Sequence, residues 1–329
     1  MVKTNFLNPQ KLPLVVEPSE DKKNEADLNL LVETARAKRG FFREKLLAHG
    51  ALLFRGYAVG DVADLERFVH AFSGGEKLFS YAGGVSPRNP LGGGSGGGGG
   101  VYTSTEYPAQ FALSLHNELS YADVYPRHLY FCCLIPAETG GETTLGDSRR
   151  ILQKIDSQIV ELFKNKKICY VRNLHSGKGS GYSWQEAFET DDKREVEDCC
   201  RKIGAQFQWR PDGALRVKQV RPAVIRHPLT GEEVWFNQAD GFHPSNLDAE
   251  TYQSLLEIFG SEDEFRLNVF FGDGSPIDLQ MLAHVRAVLQ SETIPHRWQA
   301  GDILVLDNIL AAHGRMPYAG ARKIALAMT

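Results

Sequence analysis

His116 and Glu118 stand two residues apart in FALSLHNELS, a segment whose apolar pattern predicts a β-strand. Side chains on a strand alternate faces, so both groups are expected on one side, with Asn117 pointing away. An imidazole beside a carboxylate is a donor pair suited to divalent iron. One distant histidine would complete a 2-His-1-carboxylate triad, leaving open positions for reactants, and His313 is the candidate. Ten histidines and 41 acidic residues among 329 predict about one His-x-Asp/Glu by chance, so the pair alone carries little weight and its setting must decide. His175, His227, His243, His284 and His296 have no carboxylate two positions on and are read as ordinary core or surface histidines.

The elements that would position these groups are mostly strands. Asn24 to His49 carries helical spacing and delivers a short buried strand in HGALLFRGY. Asp61 caps a further helix that Gly74 and Gly75 stop. Beyond it, the expected strands are FALSLHNEL, HLYFCCLI, GETTLGD, KICYVRN, AQFQWR, ALRVKQV, AVIRH, EEVWFNQ, DILVLDN and RKIALAMT. Helices are expected near 149–164, 193–203, 249–259 and 276–290. Without steady strand–helix alternation, this order favours a mainly β fold with inserted helices, a β-sandwich or jelly roll, over a doubly wound sheet. Residues 1–28 are expected to form an irregular leader and 29–329 a single domain. The tract from Gly92 to Gly100 around Ser95 has the composition of a flexible linker, such as an engineered substitute for a natural loop. No Lys-Ser/Thr follows it to make a phosphate cradle.

Composition narrows the partners. A formal charge of −4 with scattered basic residues gives no footprint for nucleic acid or an anionic membrane, so a small-molecule partner is expected. There is no apolar run of the roughly 20 residues a membrane span needs and no signal-peptide core, and the chain reads as soluble and intracellular, hence cytoplasmic. The five cysteines lack CxxC spacing and are read as reduced thiols.

The setting is supplied by PAETGGETTLGDS, WQAGDILVLDN and AAHGRMPYAGARK, which follow SLHNELSYADVYPRHLYFCC in a specific order. With these segments the chain resembles the taurine dioxygenase and clavaminate synthase group of Fe(II)/2-oxoglutarate oxygenases. Within that group it is similar to the plant clavaminate-synthase-like proteins and to hydroxylases of natural-product pathways. The likeness runs from HGALLFRGY to the C-terminus.

The resemblance implies a double-stranded β-helix of the cupin-like jelly-roll kind. It also implies Fe(II) held by His116, Glu118 and His313, and 2-oxoglutarate held by Thr143 and Arg322, with dioxygen as co-substrate and no catalytic group beyond the metal ligands. The family often has Arg-Arg where this chain reads Arg322-Lys323. Arg322 is preferred because its face continues as Ile324, Leu326 and Met328, and because a guanidinium can grip a carboxylate with two donors. Halogenases of this superfamily lack the carboxylate, so Glu118 points to hydroxylation, with desaturation and oxidative cyclisation using the same triad. Glutamate at that position leans toward substrates that are amino acids or their relatives, free or tethered to a carrier protein. Arg88 and Asn237 are the expected substrate contacts, against a loop salt bridge and a strand-end hydrogen bond. Two other classes are weighed: a zinc hydrolase, which would have no use for Arg322 and Thr143, and a barrel that binds a small molecule without turnover.

Overall fold

A computed structural model describes residues 2–81, 84, 88–92, 100–105, 107–177 and 182–329. The expected Gly-rich loop therefore lies, but for its two ends, outside the described residues. The architecture is mixed α/β, with several sheets. An eight-stranded sheet runs in the order Val2–Phe6, Leu14–Pro18, Ala51–Phe54, Ile303–Asp307, His128–Ile135, Lys323–Met328, Val101–Thr103 and Pro90–Gly92. A four-stranded sheet runs in the order Ile294–His296, Thr143–Asp147, Ala311–Arg315 and Leu113–His116.

Alternation along the large sheet divides the core. Leu52, Phe54, Ile303, Val305, Tyr130, Cys132, Ala325 and Ala327 pack with Leu31, Phe42, Leu46, Phe68 and Phe72 of the N-terminal helices. Their neighbours Ala51, Leu53, Leu304, Leu306, Phe131, Cys133, Ile324, Leu326 and Met328 share a second cluster with Leu115, Leu145 and Ile294 of the small sheet. A strand with apolar residues on both faces reads as a continuous apolar run, as ILVLD does. Arg322 precedes Ile324, Leu326 and Met328, whose side chains belong to this inner cluster.

Several sequence expectations are corrected. The leader is not irregular: Val2–Phe6 and Leu14–Pro18 pair antiparallel, and the second adds in parallel to Ala51–Phe54, because Leu14, Val15 and Val16 are all buried. The helix expected up to His49 is two helices, Leu28–Ala37 and Arg39–His49, broken at Lys38 (φ −108°, ψ 20°). The helix expected over 149–164 is likewise two, Ser148–Lys154 and Ser157–Lys166, the second capped by Asp156, which accepts from Gln158 N. Asp61 caps Val62–Ser73 and left-handed Gly74 ends it, as read from the sequence. All five cysteines are free thiols. Among the described residues no helix is long and apolar enough to cross a membrane.

Candidate metal centre

The two strands that carry the histidines are neighbours in the small sheet, with His313 directly opposite His116. Directly opposed residues project to the same face, and the two rings lie 4.3 Å apart between centroids. His313 Nε2 stands 3.7 Å from Glu118 Oε2. One ligand atom from each of His116, Glu118 and His313 falls within 4.8 Å of the others, a spacing that a single divalent ion can bridge.

Glu118 reaches this cluster by a different route from the one its spacing suggested. The strand ends at His116, and Glu118 opens a turn in which Leu119 adopts φ 55°. Asn308 holds that turn from both sides. Its Oδ1 accepts from Glu118 N at 2.7 Å, and its Nδ2 donates to Glu118 O at 2.9 Å and to Pro126 O at 2.8 Å. Asn117 does point away, donating to Asn308 O at 2.7 Å. Asn308 is itself fixed, because Asp307 Oδ1 accepts from Ile309 N and Leu310 N while its Oδ2 meets His227 Nε2 at 3.1 Å.

The electrostatics suit a metal. Burial lowers the pKa of His116, and burial together with His116 and Arg88 lowers that of His313 well below the ordinary value, so both imidazoles stay neutral with lone pairs to offer. His116 Nδ1 lies 2.9 Å from Ser114 O and donates to it in the tautomer that leaves Nε2 as the ligand atom. Among the described residues His313 Nδ1 has no hydrogen-bond partner, and its ring is packed by Phe131 at 5.2 Å. These donors fit a divalent iron.

Arg88 lies beside the centre. Its Nη2 donates to Glu118 Oε2 at 2.7 Å, its guanidinium sits 4.5 Å from the Tyr81 ring centroid, and its side chain is 2% exposed. Asn237 is engaged with backbone at both ends of its amide, donating to Ala223 O at 3.0 Å and accepting from Ala239 N at 3.1 Å.

Thr143 occupies the next inward position along the same sheet. His313 pairs with Leu145, and Arg315 pairs with Thr143, so Thr143 shares the face of the histidines one step away, roughly 7 Å along the strand. The Gly-Gly turn before it brings Arg322 close: a Cβ on Gly140 would sit 2.1 Å from Pro317 O, and one on Gly141 (φ 71°) would sit 3.2 Å from Arg322 Cδ. Arg322 donates through Nε to Gly141 O at 3.1 Å and through Nη1 to Ser104 Oγ at 3.4 Å. Its Nη2 makes no hydrogen bond among the described residues. Burial, and then Arg315, push its pKa down to about 10, which marks a cation short of negative charge. Arg315 is the worse candidate for gripping an anion, since its terminal nitrogens donate to Tyr107 O, Pro108 O and Phe111 O. Lys323 is exposed.

Comparison with known proteins agrees with this geometry. The family model described as taurine catabolism dioxygenase TauD, TfdA family matches residues 12–329. The dapdiamide synthesis protein DdaC of Enterobacter agglomerans is 38% identical over 285 residues, covering 87% of this chain and 83% of its own. A clavaminate synthase-like protein of Arabidopsis thaliana is 27% identical over 305 residues, covering 90% and 86%. Among solved structures, Pseudomonas aeruginosa PvcB superposes with a TM-score of 0.56 at 18% identity, covering 99% of this chain and 90% of that one, a likeness of fold. The chain belongs to the TauD/TfdA family of Fe(II)- and 2-oxoglutarate-dependent oxygenases.

Proposed function

We propose that this oxygenase hydroxylates an unactivated C–H bond of a small molecule, an amino acid or related carboxylate of specialised metabolism. The observation that carries the reading is the convergence of His116, Glu118 and His313, with a carboxylate as the third donor. His116, Glu118 and His313 would hold Fe(II), and Thr143 with Arg322 would hold 2-oxoglutarate. When bound, iron, 2-oxoglutarate and dioxygen supply the oxidising power, with succinate and carbon dioxide as by-products. The chain's own residues orient and shield. Phe131 against the His313 ring and Leu145 opposite His313 keep water from the ligand side of the sheet, and Arg88 neutralises Glu118. In this reading the two sheets are the walls of a double-stranded β-helix, residues 29–329 act as one unit with the leader added at the sheet edge, and Arg88 borders the substrate. Similarity to a dapdiamide synthesis protein supports a substrate of specialised metabolism.

The test is succinate release from a panel of amino acids and small carboxylates, offered free and loaded on carrier protein, with Fe(II), 2-oxoglutarate and oxygen. One group of related amino acids or carboxylates should raise succinate well above the substrate-free background and gain one oxygen atom. Activity that persists without oxygen and 2-oxoglutarate would instead indicate a hydrolase. Succinate that never rises above background with any member would favour a binding protein.

A further inference from the structure

The hydroxyl of Thr143 already has a partner on one side. Trp298 donates its indole N–H to Thr143 Oγ1 at 3.0 Å, in a contact where Thr143 is 4% and Trp298 6% exposed. An indole nitrogen can only donate, whereas a hydroxyl offers one proton and two lone pairs. The bond therefore occupies a lone pair of Oγ1 and leaves its proton for another acceptor. Among the described residues no acceptor takes that proton.

The indole is held firmly. The His296 ring packs edge-on against it at 4.9 Å, and His296 pairs with Thr143 across the small sheet. His296 is 2% exposed and, as the direct cross-strand partner of Thr143, projects to the same sheet face as Thr143 and His313.

We propose that Trp298 is a positioning residue for the co-substrate, converting Thr143 into an aimed proton donor for the carboxylate that Arg322 attracts. Donation into an oxygen lone pair also polarises the O–H bond and strengthens what that bond donates. The inference rests on the reading of Thr143 and Arg322 as the grip on 2-oxoglutarate.

Trp298→Phe keeps the ring and removes only the N–H. Its anaerobic equilibrium affinity for 2-oxoglutarate, measured on Mn(II)-loaded protein, should fall roughly five- to tenfold. Mn(II) affinity and kcat at saturating 2-oxoglutarate should stay at the unsubstituted values while the KM for 2-oxoglutarate rises. Thr143→Val should lose at least as much affinity, and the double variant should be no worse than Thr143→Val alone, because the indole acts only through the hydroxyl. Unchanged affinity in Trp298→Phe, or losses that add in the double variant, overturns the proposal while sparing the role of Thr143. Unchanged affinity in Thr143→Val removes that role and the proposal together. Unsubstituted protein gives a check that does not depend on a variant folding. With four tryptophans in the chain, one indole ¹⁵N–H resonance should shift when 2-oxoglutarate is added to Zn(II)-loaded protein, and the absence of any shift contradicts the proposal.

Discussion

At the scale of single residues, the ion pair between Arg88 and Glu118 has the largest consequence for the metal. Both side chains are nearly inaccessible, 2% and 4% exposed. Removing one member of a buried pair leaves the other charge without compensation, at a cost of about 3 kcal/mol. Arg88→Met should therefore unfold at lower denaturant when metal-free. Adding Mn(II) should stabilise it more than it stabilises the unsubstituted protein, because the cation then replaces Arg88 as the partner of Glu118. A smaller metal response in the variant would show that Arg88 chiefly orients the ligand. His296 makes a separate prediction. Burial, with Arg55 adding, pushes its pKa down to about 3, so its imidazole stays neutral in the folded protein. In the unfolded chain it protonates near pH 6.5, so below that pH the unfolded state binds the extra proton and stability is lost as pH falls. The loss attributable to this residue should be about 2 kcal/mol between pH 7 and pH 5. Urea titrations of His296→Leu should show a correspondingly shallower pH dependence.

At the scale of elements, the site is a piece of β-sheet register joined to a clamped turn. Opposed strands place His116 beside His313, while Asn308 fixes the turn that carries Glu118. Asn308→Ala would strand three buried backbone groups, each costing about 1–3 kcal/mol. Mn(II) titration should show affinity falling by roughly 10- to 100-fold, the usual effect of losing a group that supports a ligand. Metal affinity equal to that of the unsubstituted protein would mean that Glu118 is held by other means. Much of this element scale was legible in the sequence. HLYFCCLI forms the strand His128–Ile135, DILVLD forms Ile303–Asp307, and the helix expected over 249–259 is Ala249–Phe259. The strand Ala311–Arg315 was not legible, because AAHGR has no β-branched residue and owes its conformation to pairing with distant segments on both sides. The expected strand through Glu118 stopped early because Asn308, nearly two hundred positions away, takes up the backbone groups a ladder would have used. Local periodicity carries no trace of such a partner. Thr143 and Arg322 came from resemblance rather than pattern, and Trp298 and Asn308 emerged only from the contacts they make.

At the scale of the molecule, the large sheet separates two apolar layers, one under the N-terminal helices and one shared with the small sheet. Phe131 of the second layer packs against His313, one of the candidate metal ligands, and metal binding to the folded state alone links metal occupancy to global stability. Metal at a hundred times its dissociation constant should add about 2.7 kcal/mol to unfolding, and a chelator should remove it. The central claim, that three side chains form one iron site able to take 2-oxoglutarate, is tested most directly by anaerobic visible absorption during Fe(II) titration in the presence of 2-oxoglutarate. The unsubstituted protein should develop a metal-to-ligand charge-transfer band that saturates at one iron per chain, and His313→Ala should develop none. A band of equal intensity in His313→Ala, or no band in the unsubstituted protein, would contradict the account.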